Sequence, residues 1–172
     1  MTITKRSTVL ANLNSTPVRY GNEGLAGFKK RAFVGNVALA ATDLAAVGDV
    51  VLMAKVPSNA IITALTWASD DLDSGTVLVV DVGFYKEDGT EYTTGSGDTI
   101  LDGVATLQTA TVETSIRFTT MGIETITQKA YELAGGTTDE GDYIYIGVLS
   151  TATAATQVAG DLIMLVEYCT SD

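Results

Sequence analysis

The sequence predicts an all-β protein, a sandwich or barrel of antiparallel strands, and three observations carry that reading. Apolar runs with a period of two alternate with short turn clusters along most of the chain. Charged residues make up only 18% of the 172 residues and hydrophobic ones 46%, so Thr, Ser, Ala and Gly must cover much of the surface, which is the palette of strands and tight turns. A single segment has helical spacing. A chain of this length is the usual size of one domain and can bury a core without staples.

Charge marks the first boundary. Residues 1–31 hold Lys5, Arg6, Arg19, Lys29, Lys30 and Arg31 against the single acid Glu23, although the whole chain carries a net charge of -11. Asn12, Asn14, Pro17, Gly21, Asn22, Gly24 and Gly27 punctuate this segment, and no period of 2 or 3.6 is sustained in it. It therefore reads as an extended basic N-terminal arm, with residues 32–172 as a single β domain. A basic arm seeks an acidic surface, so its six Lys and Arg residues are the candidate partner-binding residues.

Beyond the arm, Val50, Leu52, Ala54 and Val56 keep one parity while Lys55 takes the other. Pro57-Ser58-Asn59 supplies a turn, and Ile61, Thr63, Leu65 and Trp67 share a face of the next run, so the two runs are expected to form a hairpin. Asp70-Asp71-Leu72-Asp73-Ser74-Gly75 ends it. Val77–Tyr85 is the most apolar run, with Leu78, Val80, Val82 and Phe84 on one face, and is expected at a sheet centre. Asp88-Gly89 is a tight-turn dipeptide, because both residues accept positive φ, and it predicts a further strand near Glu91–Thr94. Thr114–Thr119, Asp142–Leu149 and Leu162–Cys169 also alternate. Glu124–Ala134 is the expected short helix, with Gly135-Gly136 as its stop, and Thr151–Thr156 reads as a hairpin loop.

The chemistry of the side chains excludes most catalytic classes. Histidine is absent, which removes the default general base near neutral pH, the usual partner of a Ser or Cys nucleophile and the commonest zinc ligand. The one cysteine, Cys169, can form neither an intramolecular disulfide nor a thiolate zinc site, and it reads as a small buried strand residue. No phosphate-binding glycine loop is present, and Gly95-Ser96-Gly97 lacks the third glycine of a dinucleotide fingerprint. Asp73-Ser74-Gly75-Thr76 superficially matches the loop of aspartic proteases, but no second copy supplies the paired aspartate those enzymes need. The Asp70-Asp71-Asp73 turn has carboxylates for a hard cation without the spacing of a calcium loop, and reads as a solvated acidic turn. No apolar run approaches the roughly 18 residues of a spanning helix. The expectation is a protein that is not an enzyme and that uses no cofactor or metal, with neither a nucleic acid nor a membrane as partner.

Tyr143, Tyr145 and Gly147 share the strand face opposite Ile144, Ile146 and Val148. Two readings stand: a core face backed by a partly covered one, or a subunit contact, because Tyr suits a surface that is apolar yet soluble when exposed.

Val56-Pro57-Ser58-Asn59-Ala60-Ile61-Ile62 and Asp70–Gly89, with its Leu72-Asp73-Ser74-Gly75 turn and Val80-Asp81-Val82-Gly83-Phe84-Tyr85 strand, carry a resemblance. They resemble virion structural proteins of tailed bacteriophages, in particular marine and cyanobacterial ones, of the jelly-roll capsid decoration, or cement, type. The resemblance spans about residues 32–168. It implies a jelly-roll-like β-sandwich, made in the bacterial host cytoplasm, that binds the outer capsid surface of the virion. There it would clamp neighbouring subunits of the major capsid protein, as a homo-oligomer for which the trimer is favoured. The alternative is a carbohydrate- or receptor-binding sandwich of a phage fibre or baseplate, which would need an exposed aromatic platform or a metal at the Asp70 turn. A third reading, a nucleic-acid tether, predicts strongly salt-dependent DNA binding through the arm.

Overall fold

The computed structural model describes residues 2–6, 29–115, 127–152 and 156–170. Nine strands form two sheets: β1 (Thr2–Arg6), β2 (Lys29–Leu39), β3 (Asp49–Pro57), β4 (Ile61–Ser69), β5 (Val80–Tyr85), β6 (Leu101–Val104), β7 (Thr111–Ser115), β8 (Tyr143–Ser150) and β9 (Gly160–Thr170). One sheet has the order β1-β3-β8-β5-β6, the other β2-β9-β4-β7. From β2 onward every link except β5–β6 carries the chain from one sheet to the other, which is a jelly-roll-like arrangement. Pairing is antiparallel save for β1, which lies parallel to β3 at the sheet edge.

The core lies between the sheets and follows from the alternation of the strands. β2 turns Phe33, Val37 and Leu39 inward, and β9 turns Leu162, Met164, Val166 and Tyr168 inward to meet Val80, Val82 and Phe84 of β5 and Ile144, Ile146 and Val148 of β8. Each such aliphatic side chain contributes about 1.5–3 kcal/mol on burial, so the two inner faces dominate the stability of the fold. β3, an interior strand between β1 and β8, is buried without a break from Val50 to Ala54.

Several expectations change on inspection of the pairing. Val50–Val56 and Ile61–Trp67 do not form a hairpin: β3 pairs with β8, and β4 pairs with β9 and β7, in the other sheet. The turn at Pro57–Ala60, closed by the Ala60 amide on the Pro57 carbonyl at 3.0 Å, is an arch between sheets. Two alternating runs joined by a tight turn satisfy a hairpin and an arch equally well, and here the long partners β8 and β9 decide. The same holds for Thr151–Thr156, which links β8 to β9 across the sandwich, with residues 153–155 outside the described ones. In β4 it is Ile62, not Ile61, that joins Leu65 and Trp67 in the core, because the pairing with β9 shifts register between Ile62 and Ala64 and one extra residue reverses the side-chain parity.

The Asp88-Gly89 turn forms, with Gly89 at φ 83° and the Lys86 amide donating to the Thr90 carbonyl at 2.8 Å. No strand follows it; pairing stops after the single bridge from Tyr85 to Glu91. Residues 91–100 instead run beside β5, whose Phe84 amide donates to the Ser96 carbonyl at 2.8 Å and whose Val82 carbonyl accepts the Ile100 amide at 2.9 Å. The expected strand from Val77 begins only at Val80, because the Val77 and Leu78 amides are taken by the Asp73 carboxylate. The helix, α1, covers only Ala130–Leu133: Lys129 is extended and bridges Ile61, and Glu132 accepts the Lys129 amide at 2.8 Å. Residues 116–126, which hold the rest of the expected Thr114–Thr119 strand and the start of the expected helix, lie outside the described ones.

Candidate interaction surfaces

The outer faces of the two sheets differ in what lies on them. On the four-stranded sheet the face can be read row by row, because residues opposite one another in antiparallel neighbours point to the same side. Val34, Leu165 and Thr66 form one row, Asn36, Ile163 and Ala68 the next, and Ala32, Glu167 and Ala64 a third. Val34 is 49% and Ile163 40% exposed, and a shallow concavity of about 320 Å3 opens among Val34, Thr66, Ala68, Ile163 and Leu165. The one carboxylate in these rows, Glu167, is paired with Lys30 at 2.8 Å. The row beyond Asn36, Ile163 and Ala68 pairs Ala38 with Asp161, whose exposed carboxylate lies at the same outward parity of β9. The sequence offered a faint signal for this face in the apolar residues Val34, Ile163 and Leu165 at the outward parity of their strands.

On the five-stranded sheet the chain covers its own outer face. A Cβ at Gly83 would come within 2.2 Å of the Gly97 carbonyl, so the loop after β5 rests on the strand where a side chain is missing. Tyr85 is buried on this face with its hydroxyl donating to the Gly97 carbonyl at 3.0 Å, and burial pushes the phenol well above its ordinary range. Asp81 is buried here too. Burial raises its carboxyl, the Gly103 amide at 2.7 Å opposes the rise, and nearby Asp102 and Asp98 add to it.

A groove of about 270 Å3 opens at one end of this cover, between Lys55, Lys86, Tyr92, Glu140, Asp142 and Tyr143. Tyr145 is 3% exposed and belongs to the covered face, whereas Tyr143 is 49% exposed and reaches the groove. The Lys55 ammonium lies 4.3 Å from the Tyr143 ring centroid and 5.4 Å from that of Tyr145, so a cation of the chain already sits over the most accessible ring. Burial raises the Tyr92 phenol, and Glu140, Asp139 and Asp142 raise it further.

The Asp70-Asp71-Asp73 turn is bound into the backbone. The buried Asp73 carboxylate accepts the amides of Gly75 at 3.0 Å, Val77 at 2.9 Å and Leu78 at 2.8 Å, and also the Thr156 hydroxyl. Burial alone would raise this carboxyl, but those donors outweigh it and bring it down to about 2. Asp71 accepts the Asp73 amide and Asp70 the Asp161 amide, so the three carboxylates are directed at separate donors. Among the described residues no three His, Cys, Asp or Glu side chains converge to hold a metal ion. Asp73 joins the β4–β5 crossing to the β8–β9 crossing, as the bridge between Asp73 and Gln157 also does.

The six basic residues of the N-terminal segment fall into separate places. Lys5 and Arg6 are on β1, and Lys29, Lys30 and Arg31 are the first residues of β2. Arg19 lies outside the described residues. The charge boundary at residue 31 falls inside β2, whose pairing with β9 starts at Lys29. β1 and β2 are edge strands of different sheets and touch each other, so five of the six sit on one side of the sandwich. Cys169 is a partly buried free thiol on β9.

These features define an all-β sandwich of two sheets with jelly-roll-like connections. No family model matches the chain, and no curated protein matches it. Solved structures do. A chain from the capsid of Ralstonia phage GP4 superposes with a TM-score of 0.62 at 19% identity, covering 91% of this chain and 93% of that one. A chain from the cyanophage Pam1 capsid asymmetric unit gives 0.54 at 21% identity, covering 90% and 94%. At these identities the likeness is one of fold. It extends over nearly the full length of each pair.

Proposed function

We propose that this chain is a non-catalytic structural protein of a bacteriophage virion that binds the outer capsid surface and holds neighbouring major capsid protein subunits together. The observation that carries the reading is the near end-to-end likeness of fold to chains of two phage capsids. Two features of the chain support it. The edge strand β1 is joined to the core by residues 7–28, a span long enough for the N-terminal segment to serve as an attachment element. The side bearing β1 and β2 collects five basic residues on a chain that is otherwise acidic, which suits contact with an acidic shell. Many copies on one shell multiply a weak single contact into a strong total one.

The test is reconstitution. Purified protein is mixed with capsids of the encoding phage that lack it, and bound copies and the capsid melting temperature are measured. Binding with a rise in melting temperature is expected, and a variant lacking residues 1–28 is expected to fold but bind poorly. Undiminished binding by the truncated protein would refute the role of the N-terminal segment, and absence of binding by the full chain would refute the whole reading. The carbohydrate-binding alternative rests on the Tyr143 groove, and glycan-array binding abolished by Tyr143→Ala would favour it.

A further inference from the structure

We propose that Asp81 is a proton-sensitive clasp for the loop that covers the five-stranded sheet: carrying a proton it holds residues 98–103 against β5, and ionised it loosens them. This inference does not depend on the proposed virion role.

The clasp is built where the cover meets the strand. Val80, Val82 and Phe84 of β5 enter the core, so Asp81, Gly83 and Tyr85 point to the covered outer face, where the Asp81 side chain is 8% exposed. Val80 is opposite Val104 and Val82 opposite Leu101, which leaves Asp81 facing a bulge of two residues, Asp102 and Gly103. Gly103 takes φ 62° there and donates its amide to the Asp81 carboxylate at 2.7 Å. Earlier in the cover, the Ile100 amide donates to the Val82 carbonyl at 2.9 Å, and Gly97 rests on Gly83. The segment 97–103 is thus fastened to β5 at three successive points, and Asp81 supplies the titratable one.

The two buried aspartates are provided for differently. Asp73 has three amides and a hydroxyl to hold its charge, whereas Asp81 has the Gly103 amide alone among the described residues. Two exposed carboxylates act on Asp81 as well, Asp102 from the bulge and Asp98 from the cover. From β8, the residues opposite Asp81 and Gly83 are Leu149 and Gly147, which carry no charge. Along the same face lie the Tyr85 phenol and, on the cover, Glu91, whose carboxylate accepts the Gly95 amide at 2.8 Å. Lys86 and Lys55 belong to the groove at the end of the cover. A charge on Asp81 is therefore buried beside two like charges with one donor to hold it. A proton removes the repulsion and still leaves an oxygen to accept the Gly103 amide. Because burial and these neighbours raise the carboxyl above its ordinary 3.8, its share of the stability is complete below that value and is lost as pH rises through the raised one. Asp73 has the opposite sign.

The test follows the full chain from about pH 4 to about pH 8 by side-chain carboxyl NMR and by amide hydrogen exchange corrected for its intrinsic pH dependence. Asp81 is expected to titrate above the exposed Asp98 and Asp102. Protection of the Ile100 and Gly103 amides is expected to fall at least about threefold through that titration, while the amides of β9 stay unchanged. Asp81→Asn, which keeps an acceptor and carries no charge, is expected to make the protection independent of pH. Asp102→Asn, at an exposed position, is expected to bring the Asp81 titration down, and this readout decides if Asp81→Asn fails to fold. Titration of Asp81 at or below its ordinary value, protection at Ile100 and Gly103 that stays constant or falls equally in β9, or a pH dependence that persists in Asp81→Asn would each overturn the inference.

Discussion

The two sheets solve the problem of their outer faces in opposite ways. The five-stranded sheet is covered by the chain itself: residues 91–100 run beside β5 and lie against Gly83, and Tyr85 is buried beneath that cover with a hydrogen bond to Gly97. The four-stranded sheet has no such cover among the described residues, and its outward Val34 and Ile163 remain exposed. The cover adds buried contacts to one outer face, whereas the outward side chains of the other stay exposed.

The contrast can be broken most forcefully at Gly83. Gly83→Val puts carbon into backbone that already lies 2.2 Å from the position of its Cβ, and the covering loop must lift away. A loss of about 3 kcal/mol in denaturant unfolding is expected, because overpacking of this kind forces backbone shifts. Asp73→Asn comes next. The carboxylate serves three amides and a hydroxyl where the two crossings meet, and an amide nitrogen in place of one oxygen leaves donors unsatisfied, for a loss of about 2 kcal/mol. Its titration has a definite sign. A carboxyl lowered from 3.8 to about 2 in the fold stabilises above the unfolded value, and that stability is lost as pH falls from about 4 through about 2. The Asn variant should lose this part of the acid dependence, which unfolding curves at successive pH values would show.

Tyr85→Phe removes one buried hydrogen bond from the cover and should cost about 1 kcal/mol, seen as a small fall in the unfolding midpoint. Smallest of all is Val34→Ser on the bare face. Its folding free energy should stay within about 0.5 kcal/mol of the parent, since the residue is already half exposed. A large loss there would mean that the face is covered in the isolated protein, and would erase the contrast.

Much of the sandwich was legible in the sequence, and the misses have physical causes. β8 and β9 were readable because Ile144, Ile146 and Val148, and Leu162, Met164 and Val166, keep one parity through the core. β2 carried no such signal, since Ala32, Val34 and Ala38 occupy its outward positions and blur the period. The partners of β3 and β4 were beyond local reading, because a period of two reports a strand and not which sheet receives it. Asp73 shows the same limit at a single side chain. Its place in an acidic run suggested a solvated turn, yet three amides close in sequence and a hydroxyl 83 residues away bind it into the structure. The basic residues were visible as charge, but only pairing distributes five of them over two neighbouring edge strands.

The most direct test of the virion role is cryo-electron microscopy of the phage particle that encodes this chain. The account predicts copies of the two-sheet sandwich on the outer capsid surface at the junctions between major capsid protein subunits. Density for the sandwich in a tail fibre or baseplate, or its absence from the particle, would contradict it.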